Sequence, residues 1–203
     1  MLMSRIIPVL LIRNKGLIKT VKFKEDKYLG DPINAVKIFN EKKVDEIILL
    51  DIDATTQMQD PNYKLIESIA AQCRSPLCYG GGIKSVETAK KILSLGVEKV
   101  AVSSEAIKNL FFLNELVSAI GAQSVVVVLD VKKKLLGGFE VMISNGSEKT
   151  GYTPVEFLEK IRGIGVGEIV INSIDSDGMM TGYPLDLFDK LKKHIDVPMT
   201  ILG

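Results

Sequence analysis

Histidine is nearly absent from this 203-residue chain, cysteine is scarce, and neither sign of charge prevails. The single His194 leaves acid–base chemistry mainly to carboxylates. Cys73 and Cys78 supply neither a disulfide framework nor the spacing of a zinc site, so no metal and no cofactor is expected. With 26 basic against 25 acidic residues, nothing draws the chain to nucleic acid or to an anionic membrane. No run approaches the roughly 18 apolar residues of a membrane span. The start, Met1-Leu2-Met3-Ser4-Arg5, has no cleavable signal pattern. What these absences leave is a cytoplasmic, enzyme-sized domain. Its 46% hydrophobic residues suffice for one packed core and are modest for two.

Apolar runs of strand length alternate with amphipathic segments of helix length. The runs are 6–12, 46–51, 77–79, 99–103, 124–130, 168–174 and 199–202. Their near-continuous Val, Ile and Leu content suits parallel strands buried on both faces. Helix starts are marked by Asp31-Pro32, by Asp60-Pro61 and by the capping box Thr153-Pro154-Val155-Glu156. Further helices are expected over 85–95, 110–120 and 185–194. Repeated βα units of this size imply a parallel sheet, either doubly wound or closed into a barrel.

Internal repetition favours the barrel. Val44-Asp45-Glu46-Ile47-Ile48, Val97-Glu98-Lys99-Val100-Ala101 and Val166-Gly167-Glu168-Ile169-Val170 are versions of one strand opening. Pro76-Leu77-Cys78-Tyr79-Gly80-Gly81 and Pro198-Met199-Thr200-Ile201-Leu202-Gly203 form a second matched pair. A barrel built from two half-barrels explains both; a doubly wound sheet explains neither. The expectation is an α/β parallel (β/α)8 TIM-type barrel, one domain over 1–203, with the chain ending in the seventh strand. Such a barrel typically takes about 250 residues, so the domain is expected to be C-terminally incomplete.

In these barrels the site lies where the strands end. Gly80-Gly81-Gly82 follows the third strand, and glycines let backbone N–H groups approach a phosphate. Ser103-Ser104 ends the next strand and could complete an anion site. The matched segment ending at Gly203 hints at a second phosphate site, and Gly178 in the Asp177-Gly178 turn is a further candidate. Two such sites suit an elongated, phosphorylated sugar-type substrate. Asp51 and Asp53, Asp130, and Asp175 and Asp177 follow strand ends and are the candidate acids and bases, with Asp51, Asp130 and Asp177 as catalytic candidates. Against this, Asp177-Gly178 also reads as turn chemistry and Asp51 as a helix cap. Half-barrel symmetry pairs Leu10-Leu11-Ile12-Arg13 with Leu129-Asp130-Val131-Lys132, so Leu11 stands where a pair of opposed acids needs a carboxylate.

At the opposite strand ends the repeat places Glu46, Lys99 and Glu168, with Arg5 before the first strand. These charges read as a salt-bridge plug or as a gate for a small polar molecule.

The chain resembles, along its whole length, the cyclase subunit of imidazole glycerol phosphate synthase. The resemblance rests on Arg5-Ile6-Ile7, Asp31-Pro32, Leu50-Asp51-Ile52, Gly80-Gly81-Gly82-Ile83, the strand at 125–131 and, most specifically, Ser173-Ile174-Asp175-Ser176-Asp177-Gly178. It implies a glutaminase partner (a class I amidotransferase) whose ammonia passes a gate of Arg5, Glu46, Lys99 and Glu168, with Glu98 contacting that partner. It also implies phosphate binding by Gly82, Ser103 and Ser104, and acid–base work by Asp130. Two residues depart from the family: Leu11 replaces its other catalytic aspartate, and Ser103 stands where asparagine is usual. The Leu-Leu-Ile-Arg-Asn pattern resembles a branch found with surface-polysaccharide genes, which is held to supply ammonia for sugar amidation. The competing expectations are therefore a cyclase of histidine biosynthesis, an ammonia-conducting subunit with weakened cyclase activity, and a non-catalytic ligand-binding scaffold.

Overall fold

The computed structural model describes residues 4–203. Residues 1–3, which open the apolar start noted above, lie outside the described residues. The chain forms two compact units, Met1–Lys19 with Lys27–Ala101, and Thr20–Asp26 with Val102–Gly203.

The first unit holds β1 (Val9–Arg13), most of β2 (Gly16–Val21), which forms a hairpin with it, the end of β3 (Lys24–Gly30), α1 (Pro32–Lys42) and β4 (Ile47–Asp51). The β2–β3 tip, Thr20–Asp26, belongs to the second unit. After it come α2 (Ile52–Thr56), α3 (Tyr63–Ala70), β5 (Leu77–Gly80), α4 (Val86–Ser94) and β6 (Lys99–Val102). The parallel strands lie in the order β6-β5-β4-β1, so each one neighbours the next in sequence. That succession is the barrel pattern, because a doubly wound sheet reverses direction at its first strand. Ile47, Leu49, Leu77 and Val100 are completely or almost completely buried, as strands covered on both faces require. Each such side chain contributes about 1.5–3 kcal/mol of hydrophobic stabilisation.

The second unit holds α5 (Ser104–Lys108), α6 (Leu110–Ile120), β7 (Val125–Lys133), β8 (Phe139–Ile143) and β9 (Glu148–Lys149). It continues through α7 (Pro154–Ile161), β10 (Glu168–Ser173), α8 (Leu185–Leu191) and β11 (Met199–Leu202). Its parallel order, β7-β10-β11, is again sequential. The two units repeat one register. Val9 pairs with Ile48 as Val128 pairs with Val170, and Ile47 pairs with Leu77 as Ile169 pairs with Met199. Even the antiparallel hairpins correspond, with Leu11 opposite Ile18 and Asp130 opposite Met142. The fold is α/β, parallel and of the (β/α)8 type.

Three local expectations need correction. The first strand begins at Val9 rather than residue 6, because Pro8 has no N–H to give the ladder. The helix expected after Asp60-Pro61 is capped instead by Asn62, whose side chain accepts from the Leu65 amide at 3.2 Å. The hairpin strands β2, β3, β8 and β9 and the short helices α2 and α5 were not expected. The other caps stand as read: Asp31 accepts from the Ile33 amide, and Thr153 and Glu156 close a reciprocal capping box.

Candidate active site

In the second unit, Asp130 and Asn172 are register partners on adjacent strands. The Asn172 amide Nδ2 donates to Asp130 Oδ1 at 2.9 Å. Asp130, three residues before the end of β7, keeps some open surface. Burial of its carboxyl pushes the pKa up to about 7, opposed by the Asn172 hydrogen bond and assisted by the negative charge of Asp177. A carboxyl poised there can take or give a proton near neutrality.

Asp177 does a different job. Its Oδ2 accepts from the Thr20 hydroxyl at 2.7 Å and from the Phe23 amide at 3.0 Å, and its carbonyl accepts from the Lys22 amide at 2.9 Å. It pins the tip of the β2–β3 hairpin. Gly178 serves the same contact, since the Thr20 carbonyl oxygen lies where a Cβ would stand. Asp175 Oδ2 accepts from the Lys133 amide at 2.7 Å.

Ser103 and Ser104 lie at the junction of β6 and α5. Ser104 Oγ accepts from the Ser144 amide at 3.0 Å, whereas Ser103 Oγ is buried with no partner among the described residues. Gly203 follows β11, and a Cβ there would meet the Ser173 carbonyl oxygen at 2.9 Å and Ser173 Cβ at 3.1 Å.

The first unit carries the matching rim. Gly81 packs against the Asp51 carbonyl, just as Gly203 packs against that of Ser173. The Gly82 amide donates to Thr55 Oγ1 at 3.2 Å, so an anion there would replace that hydroxyl. Asp51 caps α2 through Oδ1, to the amides of Asp53 (3.2 Å) and Ala54 (3.1 Å), and its carboxyl is raised by burial. The helix-cap alternative for Asp51 is thus what its hydrogen bonds express. Leu11, register partner of Leu50, is the exact counterpart in register of Asp130 beside Asn172. Arg13, two residues on, donates through Nε to Asp53 Oδ1 at 3.1 Å.

At the other strand ends of this unit, Glu46 is 3% exposed. Its Oε2 receives both Arg5 Nη1 at 3.1 Å and Lys99 Nζ at 2.7 Å. Three of the four expected gate residues therefore meet. Glu168 occupies the equivalent place in the second unit, is equally buried, and accepts from the Thr200 hydroxyl. Glu98 is exposed beside Lys99. Among the described residues, no cluster of metal-ligating side chains is present and no helix is long and apolar enough to cross a membrane.

Residues 5–203 match the family described as Histidine biosynthesis protein. The chain belongs to that family. Its relatives are the imidazole glycerol phosphate synthase subunits called HisF. A Vibrio vulnificus protein provisionally named as such a subunit, hisF3, is 56% identical over 204 residues, covering 100% of this chain and 78% of that protein. A similarly named Leptospira borgpetersenii protein is 50% identical, covering 100% and 80%. The HisF subunit of Lactococcus lactis subsp. cremoris (strain MG1363) is 38% identical, covering 100% and 79%.

Sequence reasoning missed Asn172 beside Asp130 in the second unit, and in the first unit it named Asp53 without its ion-pair partner Arg13. Asn172 had a faint signal, as the one amide inside the apolar run Glu168-Ile169-Val170-Ile171-Asn172.

Proposed function

We propose that this chain is the ammonia-using cyclase subunit of an imidazole glycerol phosphate synthase complex. It takes a ribulosyl bisphosphate precursor and ammonia to imidazole glycerol phosphate and aminoimidazole carboxamide ribotide. The observation that carries this reading is Asp130: a carboxyl in the C-terminal half of β7, raised to about 7 and held by an amide donor. Asp130 passes protons to and from the reacting nitrogen and carbon. The rims at Gly81-Gly82 and at Ser103-Ser104 hold the ligand's phosphates, Gly203 belonging to the second of the matched glycine turns. The Arg5–Glu46–Lys99 cluster, with Glu168, gates ammonia delivered by a glutaminase subunit that docks near Glu98. Asp51, Asp177 and Gly178 support the site by shaping α2 and the hairpin.

Leu11 favours a second reading, because the position matching Asp130 is apolar. In that reading the subunit conducts ammonia to a sugar-amidating enzyme, and its own cyclase rate is lowered by the about 10²–10⁴-fold that a missing general acid or base costs. One assay separates the two. With ammonia and the ribulosyl precursor, the cyclase reading expects turnover of about 1 per second or faster and little gain from Leu11→Asp. The conducting reading expects a far slower wild type and partial recovery in Leu11→Asp.

A further inference from the structure

On β10, side chains alternate between faces, so Glu168, Val170 and Asn172 share one. The register places Val126, Val128 and Asp130 of β7 beside them on the same face. Glu168 and Asn172 are buried polar residues at the two ends of this ladder, about 13 Å apart at 3.3 Å per residue. Between them stand Val170 and Val128, both buried. A neutral small molecule loses far less hydration beside such a stretch than a charged one does.

Asn172 ends the ladder in an unusual state. Its Nδ2 is committed to Asp130, and turning the amide over would aim its oxygen at a carboxylate oxygen. With Asp130 ionised, its Oδ1 is therefore fixed away from that carboxylate, and among the described residues it is buried without a donor. Leaving a buried acceptor unpaired is costly. Asn172 is 6% exposed, so bulk water does not readily relieve it. The corresponding pair in the first unit, Leu11 and Leu50, is wholly apolar. The polar pair is thus not required to build this part of the fold.

We propose that Asn172 Oδ1 is the docking acceptor for ammonia arriving along the β7–β10 ladder, while its Nδ2 positions Asp130. This rests on the cyclase reading above. Ammonia donates an N–H to Oδ1 and keeps its lone pair for the substrate carbon. As the C–N bond forms, the C=O π bond of the ribulosyl carbonyl breaks and its electron pair goes to the oxygen. Asp130, held next to the ammonia, takes protons in turn from the new ammonium nitrogen and returns them to that oxygen, which leaves as water. Asn172 is a binding residue toward ammonia and a positioning residue toward Asp130.

The test is Asn172→Leu, which removes donor and acceptor while keeping the branching of the side chain, beside Asn172→Thr, which restores a hydroxyl. In the full-length protein with its glutaminase omitted, ammonium salts and the ribulosyl precursor are varied separately. Asn172→Leu should raise KM for ammonia about 3- to 10-fold, the loss expected of one hydrogen bond. KM for the precursor should change less than about 2-fold, and Asn172→Thr should recover part of the loss. The acid limb of the kcat/KM profile should move to higher pH in Asn172→Leu, because Asn172 lowers the Asp130 pKa against burial and Asp177. A rise in KM for the precursor alone would assign Oδ1 to a substrate hydroxyl and overturn the ammonia role. Unchanged KM values and an unchanged pH profile would leave Asn172 structural and overturn both roles. A wild type without ammonia-dependent turnover would overturn the cyclase reading and the ammonia role together. The positioning role is then decided by carbon-13 titration of the Asp130 carboxyl in wild type and Asn172→Leu: a higher pKa in the variant supports it, and equal values overturn it.

Discussion

Asp130 carries a consequence for stability that is independent of its chemistry. Its carboxyl, ordinarily at 3.8, is raised to about 7 in the folded protein, chiefly by burial. The folded state therefore holds a proton that the unfolded chain releases at lower pH. The stability linked to that proton is complete below about pH 4 and is lost as pH rises through about 7. Asp130→Asn, which cannot ionise, should be more stable than wild type at pH 8, by up to roughly 4 kcal/mol. The difference should shrink toward zero near pH 4 in urea unfolding series. Equal stability at both pH values would show that the carboxyl is not buried as charge. Asp130 was legible in the sequence because it closes an unbroken apolar run, where a charge has no structural reason to be. Asn172 was not, because an asparagine has no period or partner until the β7–β10 register is known. The family positions Asp51 and Asp177 were legible as residues, but their immediate tasks are a helix cap and a hairpin anchor.

The parallel strands were readable because burial on both faces leaves a continuous Val, Ile and Leu signature. The hairpins were missed. The β8–β9 turn does carry an Asn-Gly pair, Asn145-Gly146, and the β7–β8 turn Gly137-Gly138, signals that were passed over. The β1–β2 and β2–β3 turns place Asn14, Lys15, Lys22 and Phe23 at positive φ without the Asn-Gly or Asp-Gly pair that announces such turns. The β2–β3 tip is instead held by tertiary contact with Asp177. Asp177→Ala removes the acceptor of the Thr20 hydroxyl and the Phe23 amide. It should speed hydrogen exchange at Phe23 by about 10-fold or more while leaving amides in β10 protected. An unchanged rate at Phe23 would mean that the tip is held by something else. The glycine turn after β5 gives a second test. A Cβ at Gly82 would meet the Gln59 carbonyl at 2.9 Å and Ala54 Cβ at 3.1 Å, and would crowd the amide that faces Thr55. Gly82→Val should weaken inorganic phosphate binding about 10-fold or more in calorimetric titration. Undiminished affinity would remove Gly82 from the phosphate site.

The duplication visible in the sequence extends to backbone register, to the hairpin pairings and to the glycine that closes each matched strand. The copies diverge at the chemically important places: Leu11 against Asp130, Leu50 against Asn172, Cys78 against Thr200. One copy is apolar where the other is polar, so the repeated strand openings reveal the symmetry while these positions hide it. In the proposed function, acid–base work falls to the second copy, on Asp130. The most direct check is ammonia-dependent turnover of the ribulosyl precursor by the full-length protein, wild type beside Asp130→Asn. Formation of imidazole glycerol phosphate by the wild type, with a rate at least about 10²-fold lower in Asp130→Asn, is the result expected. Absence of that product from the wild type, or equal rates in the two proteins, would contradict it.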